Sequence, residues 1–593
     1  MVIAEETPVG PTIELPKFVV TDSRELPQPE SWRYATIPGF EILSNASDRT
    51  TKQLIKDFEM FRMALGVVWP MPERPTAPTS LILCGRGGKF NGFVPSGKDS
   101  GVEMARASEF LKSGNRTAIV LDLESKALSI LPSQTDDPAS GSDSSQLAID
   151  HNKQLYREYV RYLLSKSEPR LPAWFEEGML QIIMAMKFEP TYIEFGKLED
   201  PNTVSARASA VAQMNALAAT DSFDFSAPLA GAPTEDRDFS AALQRRALMP
   251  LDKFFAIDHD APEAVNPLGN NLWAKQAYAF VHMCLYGEHG KYQKAFGQFI
   301  ARSTREPVTE TMFEECFNFP DKKGVSHPMS YRDMLVELRG FIDFAVYDSK
   351  EYHAKRGGKL PQPAPLELRD ATQSEIGRIE GEALVLAGHD DMARAELIAP
   401  YIRGERDPAL LAALGLYEHA NNRDDRARKF LEAAAAGKAV RPDAYLLLAQ
   451  FHYADAIAKP GRSDGKFSPR QITSIIDPLV TALQQPPSLP GVYELMADTW
   501  MHNAAKTKKE EAGILFEGAQ LFPGHLRLIY EAALLCADAD LIEAAHSLAE
   551  YGAETAPEGA PREKFERLNA TLPPVPEAVP ATDAPRFHSP GAR

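Results

Sequence analysis

The hydrophobic positions in the first part of the chain follow two periods, which predict a small sheet interleaved with helices. Short runs in which apolar residues alternate or are continuous predict strands. The predicted strands are 40–44, 79–84, 118–123 and 127–131. Apolar residues at three- and four-residue spacing between Leu54 and Leu65 predict a helix. Two further helices are predicted, one from about Ser145 to Leu164 and one that begins near Ala173.

The second half of the chain contains an internal repeat with a period of 34 residues. Segments that begin at Gly381, Gly415 and Ala449 follow one another at this spacing, and the run 390–394 recurs as 424–428. Small residues at recurring positions let two helices pack closely, so the pattern predicts stacked helix pairs. The period resembles that of tetratricopeptide repeats, and roughly five copies fit into the region before the C-terminal tail.

Together these patterns predict an α+β protein that is mostly helical. Its first domain would hold a small sheet with helices, and its second would be an α-solenoid of helix pairs. Prolines between residues 359 and 365 predict a linker, and the Pro-rich ends of the chain predict flexible segments. The predicted organisation is a flexible N-terminal arm (1–33), a first domain (34–350), a linker (351–372), the repeats (373–556) and a disordered Pro-rich tail (557–593).

Composition and charge exclude several classes of protein. A chain of 593 residues exceeds what one hydrophobic core serves, which agrees with more than one domain. The 82 acidic residues outnumber the 64 basic ones, and no basic run offsets the net charge of −18, so we expect no nucleic-acid partner. The four cysteines are scattered, which predicts neither a disulfide framework nor a cysteine zinc site.

The hydropathy of the chain bears on its compartment. No run of about 18 apolar residues predicts a membrane span. The N-terminus as written has no basic segment followed by an apolar one. We therefore expect a cytoplasmic protein as written, or an exported one if a signal segment precedes Met1.

Two neighbouring segments carry the candidate chemistry. On the second predicted helix Arg157 and Arg161 stand four residues apart and share a face, with Glu158 beside them. Residues 171–178 follow with the sequence Leu-Pro-Ala-Trp-Phe-Glu-Glu-Gly, which includes Glu177. The layout resembles that of the gluzincin zinc metallopeptidases, in particular the bacterial peptidase-MA-like group, where His-Glu-x-x-His precedes Leu-Pro-x-Trp-x-x-Glu-Gly.

The resemblance covers about residues 34–350 and implies a gluzincin-like fold for the first domain. In that family the two histidines and the later glutamate bind zinc, and the glutamate after the first histidine is the general base. The resemblance places Arg157 and Arg161 at the histidine positions, Glu158 at the base and Glu177 at the third ligand.

The two arginines change what this site can do. A guanidinium has no lone pair to offer a metal, so we expect no cofactor, and no zinc in particular. Two guanidinium groups bring the formal charge of a zinc ion to the same helical face. We therefore predict that Arg157, Glu158, Arg161 and Glu177 form an ion-pair cluster in the metal's place. The alternative interpretation is an ordinary solvated helix face.

The function expected from these features is non-catalytic. The first domain would be a pseudo-peptidase whose cleft binds a peptide or an acidic group through Arg157 and Arg161, and the repeats would bind a protein or peptide partner. One alternative is an active metal-dependent peptidase that uses Glu158 and Glu177 with further ligands still unidentified. The other alternative is an interaction protein whose repeats carry the function, with a first domain that is only structural.

Overall fold

A computed structural model of the chain describes residues 14–18, 26–69, 78–95, 107–114, 116–125, 127–130, 145–167, 169–189, 191–196, 243, 247–264, 271–319, 326–344, 350–354, 358–462 and 464–574. Within these ranges the chain is mostly helical, with nineteen helices and a small mixed sheet near the N-terminus. The prediction of a mostly helical protein with a small N-terminal sheet is confirmed. No helix in the described ranges is long and apolar enough to cross a membrane.

The strands form one six-stranded sheet and two smaller ones. They are β1 (Arg33–Ile37), β2 (Phe40–Ser44), β3 (Thr79–Cys84), β4 (Ser108–Ser113), β5 (Arg116–Asp122), β6 (Ala127–Ile130), β7 (Ser145–Ala148), β8 (Lys187–Phe188), β9 (Tyr192–Phe195), β10 (Lys350–His353) and β11 (Arg369–Asp370). The large sheet has the order β11-β1-β2-β3-β5-β4, with β2, β3 and β5 parallel and the other neighbours antiparallel. Strand β6 pairs with β7, and β9 lies between β8 and β10.

Eight helices belong to the first half of the chain. They are α1 (Asp48–Val68), α2 (His151–Leu164), α3 (Ala173–Met184), α4 (Leu251–Ala256), α5 (Leu272–Tyr286), α6 (Gln293–Ser303), α7 (Glu310–Cys316) and α8 (Tyr331–Phe344). Helix α1 is the crossover between the parallel strands β2 and β3, and Ser47 caps it by accepting a hydrogen bond from the Thr50 amide. The predicted strands 40–44 and 79–84 are confirmed to the residue.

Eleven helices follow, and the first ten form five successive pairs. They are α9 (Gln373–Leu386), α10 (Asp390–Ile402), α11 (Pro408–Ala420), α12 (Asp424–Ala436), α13 (Pro442–Ala458), α14 (Pro469–Leu483), α15 (Pro490–Met501), α16 (Lys509–Leu521), α17 (Leu526–Asp538), α18 (Ile542–Thr555) and α19 (Ala560–Thr571). A Cβ on Gly381 would lie 2.6 Å from Leu397 Cγ, and one on Gly415 would lie 2.7 Å from Leu431 Cγ. The two repeating glycines thus make the same close approach in successive helix pairs.

Both faces of the large sheet are buried, and the repeats cover one of them. Leu81 and Leu83 of β3 pack into the core that holds α1 and α2. Ile82 of the same strand faces the other way, into a core that contains Ile376 and Ile379 of α9. Because side chains alternate along a strand, each strand serves both cores. The first repeat helix therefore forms a layer of the N-terminal domain.

The predicted linker, 351–372, has a short strand at each of its ends. Residues 350–353 form β10 and pair with β9, and residues 369–370 form β11, which pairs with β1 at the edge of the large sheet. The prolines between them fit an extended chain, which a strand edge accepts as readily as a free linker does. The segment 351–372 is therefore tied to the first domain at both ends.

The predictions for the two ends of the chain also need correction. Residues 26–33 of the predicted arm include Trp32, which is buried, and residues 14–18 pack on the repeats. The predicted disordered tail contains α19, whose Phe565 and Leu568 are buried against the last repeats. These segments hold too few apolar groups to indicate a core by themselves, but each packs against the cores of other parts of the chain. The remainder of both predicted segments lies outside the described residues.

Candidate functional site

Helices α2 and α3 position the four candidate residues. Helix α2 begins later than predicted, at His151, because Ser145–Ala148 is strand β7 and the Asp150 side chain caps the helix through the amides of Asn152 and Lys153. Helix α3 begins at Ala173, directly after Pro172. The two helices pack against each other.

The glycine of the Trp-x-x-Glu-Gly element has a packing role. A Cβ on Gly178 would lie 2.7 Å from the carbonyl oxygen of Ala277 and 2.7 Å from Val281 Cβ, so only glycine allows α3 to approach α5 this closely. On the same helix Trp174 is fully buried among phenylalanine rings, including Phe255 with ring centroids 5.3 Å apart. The close packing of this element against α5 thereby fixes the position of Glu177 in the interior of the domain.

Arg157 and Glu177 form a buried ion pair between the two helices. Arg157 Nη2 lies 3.1 Å from Glu177 Oε1 and 3.0 Å from Oε2, so one guanidinium nitrogen donates to both carboxylate oxygens. Gln181, one turn further along α3, donates to Glu177 Oε1 at 2.7 Å. Both oxygens of Glu177 are therefore already used as acceptors.

Glu158 and Arg161 form a second pair on α2 alone. Arg161 Nη1 lies 3.4 Å from Glu158 Oε2, which is a longer contact than the first pair makes. Ser108 at the start of β4 donates to Glu158 Oε1 at 2.8 Å, and its hydroxyl also lies 3.1 Å from Gln154 Oε1. The carboxylate of Glu158 is thus held by the edge strand of the sheet as well as by its own helix.

Burial decides between the two interpretations of this helix face. Arg157 is 5% exposed, Glu158 is 1% exposed and Glu177 is 6% exposed, so the face is not a solvated one. Burial lowers the pKa of the Arg157 guanidinium and Glu177 opposes that shift, and an arginine stays charged at neutral pH. Burial also acts to lower the pKa of Arg161, but Glu158 and Glu177 outweigh it and raise this pKa. Arg157 and the two carboxylates are therefore shielded from bulk water, while the Arg161 side chain is 27% exposed.

A cleft of about 220 Å³ opens beside the pairs. Arg161 lines it, as do Glu177, Glu109, Arg170 and the Glu176–His259 pair, in which His259 Nε2 lies 3.0 Å from Glu176 Oε2. The wall thus mixes both charge signs. Arg157 and Glu158 are not among its lining residues. The expected use of Arg157 as a ligand-binding cation of the cleft is therefore wrong, because its guanidinium is taken up by Glu177.

The donor set does not fit zinc. Of the four positions that the resemblance assigns to metal chemistry, Arg157 and Arg161 can only donate hydrogen bonds, and both Glu177 oxygens already accept them. Within the described ranges no three side chains of His, Cys, Asp or Glu are grouped so that they could hold a metal ion. No hydrolytic step through a metal can be derived from these residues.

Several contributors to the site have little or no signal in the sequence. Gln181 follows Glu177 by one helical turn, so a search for polar partners at this spacing would have found it. Ser108 reaches Glu158 only because β4 is the edge strand next to α2, and sequence distance hides this contact. His259 and Arg170 come from irregular segments beside the cleft and belong to no motif.

Comparison of the chain with protein-family models, with curated proteins and with solved structures finds no match. The local chemistry of the site and the fold are thus the basis for assigning a function.

Proposed function

We propose that this chain is a non-catalytic relative of the gluzincin peptidases, whose cleft binds a peptide end and whose tetratricopeptide-like repeats bind a protein partner. The observation that carries the proposal is the buried pair between Arg157 and Glu177, at two positions where those peptidases have metal ligands. Loss of one partner of a buried ion pair leaves the other charge uncompensated and destabilises the fold, so the arginine and the glutamate would be retained together.

The loss of the reaction follows from the same contacts. A general base needs a water that a metal has acidified and needs access to it. Glu158 is 1% exposed and accepts from Ser108, and it faces two cations in place of a zinc ion. The alternative of an active peptidase that uses Glu158 and Glu177 would require ligands that neither side chain has nearby in the described ranges.

Two arginines line the cleft, Arg161 and Arg170, and the Arg170 side chain is 58% exposed and lies 3.5 Å from Glu176. The Arg161 side chain is 27% exposed and makes only long contacts with Glu158, so a carboxylate ligand could take over part of its hydrogen bonding. Glu109 and Glu176 on the same wall would repel a second negative charge. These features favour a peptide with a single terminal carboxylate over a highly acidic ligand.

The repeats present most of the exposed apolar groups in the described residues. Of the nine large hydrophobic side chains that are exposed in the described ranges, seven belong to the repeats. Val440 is 73% exposed and Ile457 is 47% exposed, and they lie at the start and the end of the α13 region. Exposed apolar groups on stacked helix pairs favour a protein-binding role.

The loss of metal binding can be tested by restoring it. The purified chain and the double variant Arg157→His/Arg161→His are incubated with zinc chloride, dialysed, and analysed for metal by mass spectrometry. We expect no stoichiometric zinc in the wild type, one zinc per chain in the double variant, and loss of that zinc when Glu177→Gln is added. Stoichiometric zinc in the wild type that Glu177→Ala removes would overturn the proposal. A folded double variant without zinc would overturn the relation to gluzincins.

The binding roles need separate measurements. For the cleft, acetyl-tetraalanine with a free carboxylate is titrated into the chain and compared with its C-terminal amide. Arg161→Gln should weaken binding of the peptide with the free carboxylate at least tenfold and leave binding of the amide unchanged; equal effects on both would reject carboxylate binding.

The protein-binding role of the repeats is tested by capture from cell extract. The Val440→Glu/Ile457→Glu variant should no longer capture a protein that the wild type captures, while the Val336→Glu variant in α8 should still capture it.

A further inference from the structure

Residues 14–18 occupy a pocket on the repeats in the manner of a bound peptide. Phe18 packs against two aromatic rings that also contact each other, with its centroid 5.6 Å from that of Tyr401 on α10 and 6.0 Å from that of Phe430 on α12. The ring meets Tyr401 edge to face and stacks on Phe430, and both are favourable geometries. We call this site the arm pocket, and its four side chains are Arg394, Tyr401, Arg426 and Phe430.

Cations complete the recognition of the Phe18 ring. The guanidinium carbon of Arg426 lies 4.3 Å from the ring centroid, and that of Arg394 lies 5.9 Å from it. Arg426 is itself held in place because its Nε donates to the buried carboxylate of Glu418 at 3.0 Å. A site that offers two aromatic rings and two cations favours an aromatic ring over an aliphatic side chain.

The main chain of the segment is bound as well. The Tyr401 hydroxyl donates to the carbonyl oxygen of Pro16 at 2.8 Å, and Arg426 Nη1 lies 3.4 Å from the carbonyl oxygen of Lys17. Pro16 restricts its own backbone and that of Leu15 to extended conformations, which lowers the entropy lost on binding. Backbone contacts of this kind accept many sequences, while the ring pocket demands an aromatic residue.

The arm pocket is built from side chains of the repeats. Tyr401 and Phe430 are 5% and 0% exposed and belong to the core that the repeats build from their own side chains. Leu15 and Phe18 only pack against that core and stay half-buried. A short, partly exposed segment held by side chains of another part of the fold is the arrangement expected of an exchangeable ligand.

We propose that the arm pocket binds hydrophobic-Pro-x-Phe segments of a partner protein and that Leu15-Pro16-Lys17-Phe18 occupies it in cis. This inference rests on the proposed protein-binding role of the repeats and is independent of the loss of catalysis. Because a tethered segment acts at an effective concentration of the order of millimolar, a partner must compete with it. The arm thereby sets a threshold for partner binding.

The test uses the full-length chain and a labelled peptide with the sequence of residues 12–20. Binding is followed by fluorescence anisotropy for the wild type and for Phe18→Ala, which empties the ring pocket without touching the repeat core. We expect Phe18→Ala to bind the peptide about tenfold more tightly than the wild type, since the competitor is removed. A peptide with alanine in place of its phenylalanine should not bind either protein.

Two arginines on α12 supply a matched pair of variants. Phe18→Ala/Arg426→Gln should lose at least tenfold in peptide affinity. Phe18→Ala/Arg428→Gln should bind like Phe18→Ala, because Arg428 contacts Phe451 and Asp455 instead of Phe18. Equal losses in both variants would contradict recognition by the arm pocket.

Two outcomes would overturn the proposal. The first is a folded Phe18→Ala chain, by circular dichroism, that binds no peptide up to 1 mM, which would make the arm a fixed brace. The second is a dimer of the wild type, by light scattering, that Phe18→Ala converts to monomer, which would make a second copy the occupant. Neither result affects the Val440 and Ile457 capture experiment, so failure here is distinct from failure of the proposed repeat function.

Discussion

Removal of Arg157 is the perturbation that most directly probes the site, and Arg157→Met does so while preserving most of the side-chain volume. At 3.0 Å and an effective dielectric constant of 20, the attraction to Glu177 is of the order of 5 kcal/mol. Removal of one partner of a buried pair typically costs about 3–5 kcal/mol, because the other charge is left without compensation. Gln181 still donates to Glu177, so we expect a loss near the lower limit, about 3 kcal/mol.

The measurement is urea unfolding followed by tryptophan fluorescence. Four of the five tryptophans, at positions 32, 69, 174 and 273, report on the first domain, and Trp174 lies on α3 itself. Arg302→Met is the matched control, because Arg302 pairs with Glu315 and Glu306 on the exposed surface of the same domain. We expect Arg157→Met to shift the midpoint clearly and Arg302→Met to leave it unchanged within error.

A double variant separates the ion pair from packing. Arg157→Met/Glu177→Gln removes both charges and keeps an acceptor for Gln181. The stability that the double variant loses should therefore be about 2 kcal/mol smaller than the sum of the losses in the two single variants. The reasoning is refuted if Arg157→Met behaves like Arg302→Met or if the two single variants are additive.

Three further predictions concern packing and charge elsewhere in the chain. Gly178→Ala should destabilise the first domain by about 1–3 kcal/mol in urea unfolding, because its methyl group overlaps α5, whereas Gly297→Ala, which has open space in α6, should be neutral or stabilising. Burial raises the pKa of Glu396 to about 7. The ionised carboxylate therefore destabilises the folded chain increasingly as the pH rises from the ordinary pKa of a glutamate through 7. Glu396→Gln should therefore stabilise the chain at pH 8, by at most about 3 kcal/mol, and change little at pH 4, as thermal unfolding at the two pH values would show. Arg378 lies 2.8 Å from Glu41 across the boundary between the sheet and the repeats, and Arg378→Met removes this partner. The variant should lower two urea midpoints together, the one that the tryptophans of the first domain report and the one that Trp500 reports for the repeats.

Local patterns of the sequence are enough to predict the elements but not how they meet. Strand β3 was predictable because all six of its residues are apolar or small enough to be buried on both faces. The glycines at 381 and 415 recur because each helix pair needs the same close contact, which makes the repeat visible in one sequence. In contrast, β11 is two residues long and exists only through its pairing with β1, so no local pattern marks it.

The candidate site divides in the same way. Arg157, Glu158 and Arg161 were predictable as neighbours because a helix fixes their spacing, and Glu177 was placed near them by a family resemblance. The pairing of Arg157 with Glu177, in preference to Glu158, depends on the depth of α3, which Gly178 sets against α5. That position is a property of three helices packed together, so the local pattern of one sequence does not show it.

The interface between sheet and repeats bears on whether the first domain is merely a spacer. Ile376 and Ile379 of α9 fill the core on the second face of the sheet, so the sheet would lose that cover if the repeats were removed. Glu382 of the same helix is buried and lies 2.9 Å from Arg441 in the repeats and 3.7 Å from Arg116 on β5. Burial acts to raise the pKa of Glu382, and these arginines more than offset it and lower the pKa. A domain that served only as a spacer would need no buried charge at its boundary. Here the buried Glu382 is paired with an arginine from the sheet and with one from the repeats. The two parts therefore depend on each other for stability, and deletion of the repeats would test folding before it tested partner binding.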